Sequence, residues 1–179
     1  MKFSIQTLTA INDEVTLAQL ADMLIESVES GGSISFMHPV SMEKALAFWR
    51  KVSASITAGE RILLVALDEN GVVIGAVQSI LAQPENQPHR ADIAKMMVHP
   101  RARRLGIAEA LMREIEQLTG TAGKTVMVLD TETDQAASFL YTKLGWQVAG
   151  HIPDYALRPH GGLCSTTYFY KRIAQPTVV

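Results

Sequence analysis

Cysteine is nearly missing from this chain. Cys164 is the only one in 179 residues, so no disulfide can form within it and a reducing compartment is expected. Long apolar runs are missing too: nothing approaches the roughly 20 residues of a membrane-spanning helix. The opening Met1-Lys2-Phe3-Ser4 does not lead into the apolar segment of a secretory signal, because Gln6, Thr7 and Thr9 interrupt it. His38, His89, His99, His151 and His160 show no metal-ligand spacing, so no metal site is expected. Excess positive charge is absent as well. The formal net charge is −2, and no aromatics interleave with the cluster Arg101, Arg103 and Arg104, which argues against a nucleic-acid surface. Neither G-x-G-x-x-G nor G-x-x-x-x-G-K-[ST] occurs, which removes the two commonest phosphate-binding fingerprints.

What is present is 47% hydrophobic and 19% charged, the composition of an ordinary globular protein. The length fits one domain, expected over residues 1–174 with a loose tail at 175–179, and a cytoplasmic enzyme is the default class. No repeat, linker or low-complexity block divides it. Residues 2–8 alternate as a strand. Leu17, Leu20, Ala21, Leu24 and Val28 then recur at helical spacing up to Gly31-Gly32. Ser41 after Pro39 predicts the N-cap of a second helix that buries Ala45, Phe48, Trp49, Val52 and Ile56 and stops at Gly59. Arg61–Leu67 and Val72–Leu81 flank Asp68-Glu69-Asn70-Gly71, a strong hairpin signal. After a loop at 82–90, Asp92–Val98 reads as a strand, followed by a helix packing Ala108, Leu111, Met112, Ile115 and Leu118, with Gly120 past its end. Lys124–Asp130 is a strand, Asp134–Leu144 a helix and Trp146–Ala149 a strand. A long loop and a last strand at Thr166–Tyr170 complete the order. Periodicity alone supports an α/β or α+β sandwich, β-α-α-β-β-β-α-β-α-β-β.

The most informative stretch runs from Val98 to Ala108. A strand stopped by His99-Pro100 and followed through an Arg/Gly turn by a helix leaves several backbone N–H groups unpaired. These groups and the positive end of the helix dipole are aimed at one spot. A phosphate fits such a spot, and Gly106, lacking a Cβ, allows close backbone approach. The plain alternative is a surface turn with solvated arginines. Arg103, Gly106 and Ala108 spell Arg-x-x-Gly-x-Ala after Val98-x-Pro100, which resembles the signature of the GNAT N-acetyltransferase superfamily, where it cradles the coenzyme A pyrophosphate. Arg104 stands where many members carry glycine. The segment Asp134 to Trp146 is similar to the superfamily's second element: Tyr141, Leu144 and Gly145 match, Trp146 is a conservative aromatic, and Asp134 replaces an asparagine. Gly31–Met37, Ala91–Val98, Leu129–Glu132 and Pro153-Asp154-Tyr155 together resemble the tabtoxin-resistance acetyltransferases, which acetylate an amino-acid toxin.

The resemblance implies a single-domain acyl-CoA N-acyltransferase fold, a mixed and mostly antiparallel sheet flanked by helices. It further implies acetyl-CoA as co-substrate, a small-molecule primary amine as acceptor and, by family habit, a homodimer. Because Cys164 has no partner motif for nucleophilic catalysis, direct transfer in a ternary complex is expected. Coenzyme contacts fall on Met96, Met97, Val98, Arg103, Arg104, Leu105, Gly106, Ile107, Ala108, Asp134 and Tyr141. An alkylammonium near ~10.4 must lose its proton before it attacks. The thioester oxygen needs a donor, for which the backbone N–H of Met97 or Val98 is implied, and the departing thiolate needs an acid. Tyr141 is the expected acid, while Asp92, Asp130 and Glu132 compete as bases or amine-binding carboxylates. His99 is read as a loop residue beside the coenzyme. By the same analogy Phe36, Met37, Asp130, Glu132, Asp154, Tyr155 and the loop His151–Gly162 line the acceptor pocket. A coenzyme A-binding sensor without turnover is the alternative reading.

Overall fold

The structure, a computed structural model, describes residues 2–173. Its elements follow the order β1 (Phe3–Leu8), α1 (Glu14–Glu29), α2 (Met42–Thr57), β2 (Arg61–Asp68), β3 (Val73–Ile80), β4 (Arg90–Val98), α3 (Ile107–Thr121), β5 (Val126–Glu132), α4 (Ala136–Lys143), β6 (Gln147–Leu157) and β7 (Leu163–Arg172). A single 3-10 turn, Pro100–Ala102, lies between β4 and α3. The strands form one seven-stranded sheet in the order β1-β2-β3-β4-β5-β7-β6. Every neighbouring pair is antiparallel except β4 with β5.

Local chemistry sets the boundaries. Asp13 caps α1 by accepting from Thr16 N–H at 2.7 Å, and Ser41 caps α2 by accepting from Lys44 N–H at 3.2 Å. At the β2–β3 hairpin, Asp68 Oδ1 accepts from Asn70 and Val72 N–H at 2.9 and 3.0 Å while Gly71 takes a left-handed φ of 76°. Alternation along the strands divides the core into two layers. Leu63, Val65, Val73 and Ala76 pack with α1 and α2, whereas Leu64, Ala66, Ile74 and Val77 pack with α3 on the opposite face.

In β4 this alternation breaks. Ile93 and Met97, four residues apart, belong to opposite layers. Val77 of β3 lies between the pairs Ala76–Met97 and Gln78–Ala94, so it faces both Lys95 and Met96. That is a β-bulge, with Lys95 at φ 53°, and the extra residue turns the strand over.

Several boundaries differ from the sequence expectation. Gly120 lies inside α3, and left-handed Gly123 (φ 83°) ends that turn instead. Arg90 opens β4 rather than closing a loop, and α4 is shorter than 134–144. The expected long loop His151–Gly162 is mostly β6, which runs to Leu157. β6 is an edge strand, with solvent on much of its length, so no apolar alternation marks it. Pro153 and left-handed Asp154 sit where its register shifts, a place where proline and positive φ are tolerated. The tail at 175–179 lies outside the described residues.

Gly75 on β3 seats α3. A Cβ there would stand 3.0 Å from Ile107 Cγ2, 3.1 Å from Leu111 Cδ1 and 3.3 Å from Met97 O. Gly75→Val should therefore destabilise the fold by about 1–3 kcal/mol through overpacking. Thermal unfolding would check this, and an unchanged Tm would show that α3 does not depend on that contact.

Candidate active site

The parallel β4–β5 ladder is short. Only Arg90, Ala91 and Asp92 pair with Val126, Met127 and Val128. The bulge in β4 begins just beyond, and from there the two strands separate into a cleft of about 670 Å³, walled by Ile93–Met96 on one side and Leu129–Glu132 on the other. The separation leaves backbone groups along both inner strand edges without ladder partners, ready to pair with an extended ligand. His99 N–H donates to Ile74 O at 2.9 Å. In an antiparallel ladder such bonded pairs alternate with unbonded ones. Met97 opposite Ala76 is therefore turned toward β3, and Val98 opposite Gly75 presents its N–H to the open edge.

At the end of this edge the chain makes its 3-10 turn and enters α3. Gly106 is the N-cap, with φ 81°, and no side chain caps the helix. Arg104 is left-handed as well, at φ 64°. That conformation is costly for a residue with a Cβ and accounts physically for glycine being an alternative there. Ile107 is buried in the core and anchors the first turn, while Arg103, Arg104, Leu105 and Gly106 are exposed. Arg103 lines the cleft and donates to Ser30 Oγ at 2.8 Å, linking the turn to the end of α1. His99 is occupied: its Nδ1 accepts from Arg101 N–H at 3.2 Å and its Nε2 meets Glu26 Oε2 at 3.0 Å. It holds the turn to α1.

Tyr141 enters the cleft from α4. It is 5% exposed and packs on Phe169 and Trp146, with ring centroids 5.6 and 6.0 Å away. Its hydroxyl has no protein partner among the described residues. Burial first, and the Asp130 charge second, push its pKa up to about 12. Asp134, at φ 62°, turns the chain into α4 ahead of the N-cap Gln135 and does not line the cleft. Its short polar side chain is among those that tolerate the left-handed region.

The carboxylates expected to compete are not equivalent. Asp92 is ion-paired with Arg90 and accepts from Gln83 Nε2 at 3.1 Å, and it does not line the cleft. Glu132 lines the cleft, but it is buried and accepts from Arg158 Nε at 2.7 Å. Asp130 also lines it and forms no ion pair among the described residues. Its Oδ2 lies 2.9 Å from Thr166 Oγ1, and its charge is felt by Lys95, Tyr141 and Tyr168. On the outer wall are Phe36, Met37 and Tyr155, whose hydroxyl lies 2.7 Å from that of Tyr168. Asp154 is exposed on the β6 bulge and is not brought to the cleft. The sequence reading missed Lys95, Thr166 and Cys164 as lining residues. Only Lys95 carries a signal, a lone cation in the apolar run from Ile93 to Val98.

Among the described residues no group of histidine, cysteine and carboxylate side chains could hold a metal, and no helix is long and apolar enough to cross a membrane. The chain is similar to an uncharacterized N-acetyltransferase of Schizosaccharomyces pombe, 34% identical over 87 residues that are 48% of this chain. It spans about half, 52%, of that curated relative's length. The fold resembles that of a GCN5-related N-acetyltransferase from Kribbella flavida, with TM-score 0.79, 20% identity, and 96% and 98% of the two chains covered. It also resembles a phosphinothricin acetyltransferase from Sinorhizobium meliloti in complex with AcCoA, with TM-score 0.78, 23% identity, and 100% and 92% covered. Residues 24–146, which hold the bulged strand, the cradle and Tyr141, match the model of the acetyltransferase (GNAT) family, and the chain belongs to that family.

Proposed function

We propose that the protein is an acetyl-CoA-dependent N-acetyltransferase that acts on a primary amine of a small molecule, by direct transfer in a ternary complex. The observation that carries this reading is one cleft lined by the β4 edge, Arg103 and Tyr141, with the uncapped N-terminus of α3 three residues beyond Arg103 in the chain. Bound acetyl-CoA would supply the acetyl thioester. Arg103, Arg104, Leu105, Gly106, Ile107 and Ala108 would hold its pyrophosphate through backbone N–H groups, helix dipole and charge. Met96 and Val98 on the open edge would receive its extended arm. Of the two oxyanion donors the sequence offered, Val98 is favoured because Met97 is engaged with β3.

Asp130 is the carboxylate best placed to hold the acceptor ammonium and to take its proton through ordered water. Asp92 and Glu132 are each neutralised by an arginine. Tyr141 donates a proton to the departing sulfur. Its raised pKa keeps the phenol protonated throughout the physiological range. Phe36, Met37 and Tyr155 shape the acceptor side, and Asp154 falls outside it. Cys164 lines the cleft, but no histidine or carboxylate hydrogen-bonds it among the described residues, which supports direct transfer over an acyl-enzyme. The likeness to tabtoxin-resistance enzymes supports an amino-acid-like toxin as acceptor.

Incubation with acetyl-CoA and a panel of amines should release free thiol only when an acceptor is present. Binding of acetyl-CoA without thiol release from any amine would make the protein a coenzyme A sensor instead. Tyr141→Phe should lower turnover about 10²- to 10⁴-fold, the range for a general acid, and leave acetyl-CoA affinity nearly intact. Because the phenol stays protonated, the wild-type rate should show no Tyr141-dependent alkaline fall up to about pH 10. A fall near pH 8 would reassign the acid. Arg103→Ala should weaken acetyl-CoA about tenfold in calorimetry, the scale of one charged hydrogen bond.

A further inference from the structure

Lys95 is the one cleft-lining residue whose conformation and environment are both unfavourable. It occupies the left-handed region, φ 53°, at the β4 bulge, where a side chain is disfavoured and is held only by the surrounding sheet. Its Nζ donates to Ser35 Oγ at 3.1 Å and lies 6.0 Å from the ring centroids of both Phe36 and Phe48. It forms no ion pair among the described residues. Arg61, a second cation close enough to be felt, bonds Gln78 rather than a carboxylate. Burial pulls the Lys95 pKa below its ordinary value, Asp130 opposes this and Arg61 adds to it. Lys95 is half-buried, and two aromatic faces offset only part of the hydration its ammonium loses there. Among the described residues no carboxylate pairs with this cation.

Across the cleft the situation is reversed. Asp130 on β5 is an anion without an ion-pair partner among the described residues, lining the same cavity. Opposite charges on opposite walls, each left unpaired by the protein, match a ligand that carries both. We propose that Lys95 and Asp130 form a two-charge clamp that selects zwitterionic acceptors, with Lys95 binding a carboxylate near the reacting amine as in an α-amino acid. The clamp rests on the acetyltransferase reading and names the class of acceptor that the site takes. Lys95 acts as an anion-binding residue of the acceptor site, and Ser35, Phe36 and Phe48 aim it.

The test pairs L-amino acids with their own amides, which keep the amine and lose the negative charge. With acetyl-CoA, the wild-type protein should prefer the acid over its amide by about 10- to 100-fold in kcat/KM, the worth of one charge-assisted contact. Lys95→Met should abolish that preference by raising KM for the acids, with kcat/KM for the amides and acetyl-CoA affinity unchanged. Lys95→Arg should restore part of it. Equal use of acids and amides by the wild type overturns the clamp even if the variant fails to fold, and so does a preference that survives Lys95→Met. In both cases acetyl transfer itself stands. No transfer to any amine overturns the acetyltransferase reading and the clamp with it.

Discussion

The site depends on the bulge in β4. A regular strand there would continue its parallel ladder with β5 past Asp92 and close the sheet, leaving no cleft. One extra residue opposite Val77 ends that ladder after three pairs and turns β4 over, so that Ile93 and Met97 pack in opposite layers. It also places Lys95 on the cleft wall and leaves Val98 N–H facing outward. The cost is a left-handed lysine, stabilised by a sheet anchored on both faces.

The second organising principle is which charges the fold neutralises. Three carboxylates lie on or beside the central strands, and two of them are matched with arginine: Asp92 with Arg90, and Glu132 with Arg158. Among the described residues Asp130 is left with only a threonine hydroxyl, and Lys95 with a serine and two rings. Lys95 is half-buried and Asp130 exposed, so the unmatched charge weighs chiefly on Lys95. Tyr141 complements this pattern, since a phenol held in an apolar ring cluster beside an anion remains a proton donor.

The cradle shows how a departure in pattern is accommodated by geometry. Arg104 and Asp134 both stand where the family pattern has another residue, and both adopt positive φ. Aspartate resembles asparagine in tolerating that region. For Arg104 the backbone carries strain that glycine would lack, while the side chain adds a cation beside an uncapped helix N-terminus. Arg103 serves a different purpose, tying the turn to Ser30 at the end of α1.

Element order, the N-cap of α2, the β2–β3 turn, the strand-to-helix turn before α3 and the helix that carries Tyr141 were legible in the sequence because each depends on neighbours a few residues away. Helical spacing, an Asn-Gly turn and a helix start are local patterns. Only the start of β6 was legible, as Trp146–Ala149; its extension to Leu157 was not, because an edge strand wet along much of its length has no alternation to read, and Pro153 and Asp154 imitate a loop. Nor was the rank of the carboxylates, since the arginine that meets Glu132 comes from 26 residues away. The bulge left no local trace either: the run from Ile93 to Val98 reads as a plain strand, and only pairing with β3 reveals the surplus residue. Sequence alone therefore determined the strand-to-helix turn before α3 and the helical position of Tyr141. The tertiary structure decided which strand edge is open and which charges remain free, because both depend on partners brought together only by the folded sheet.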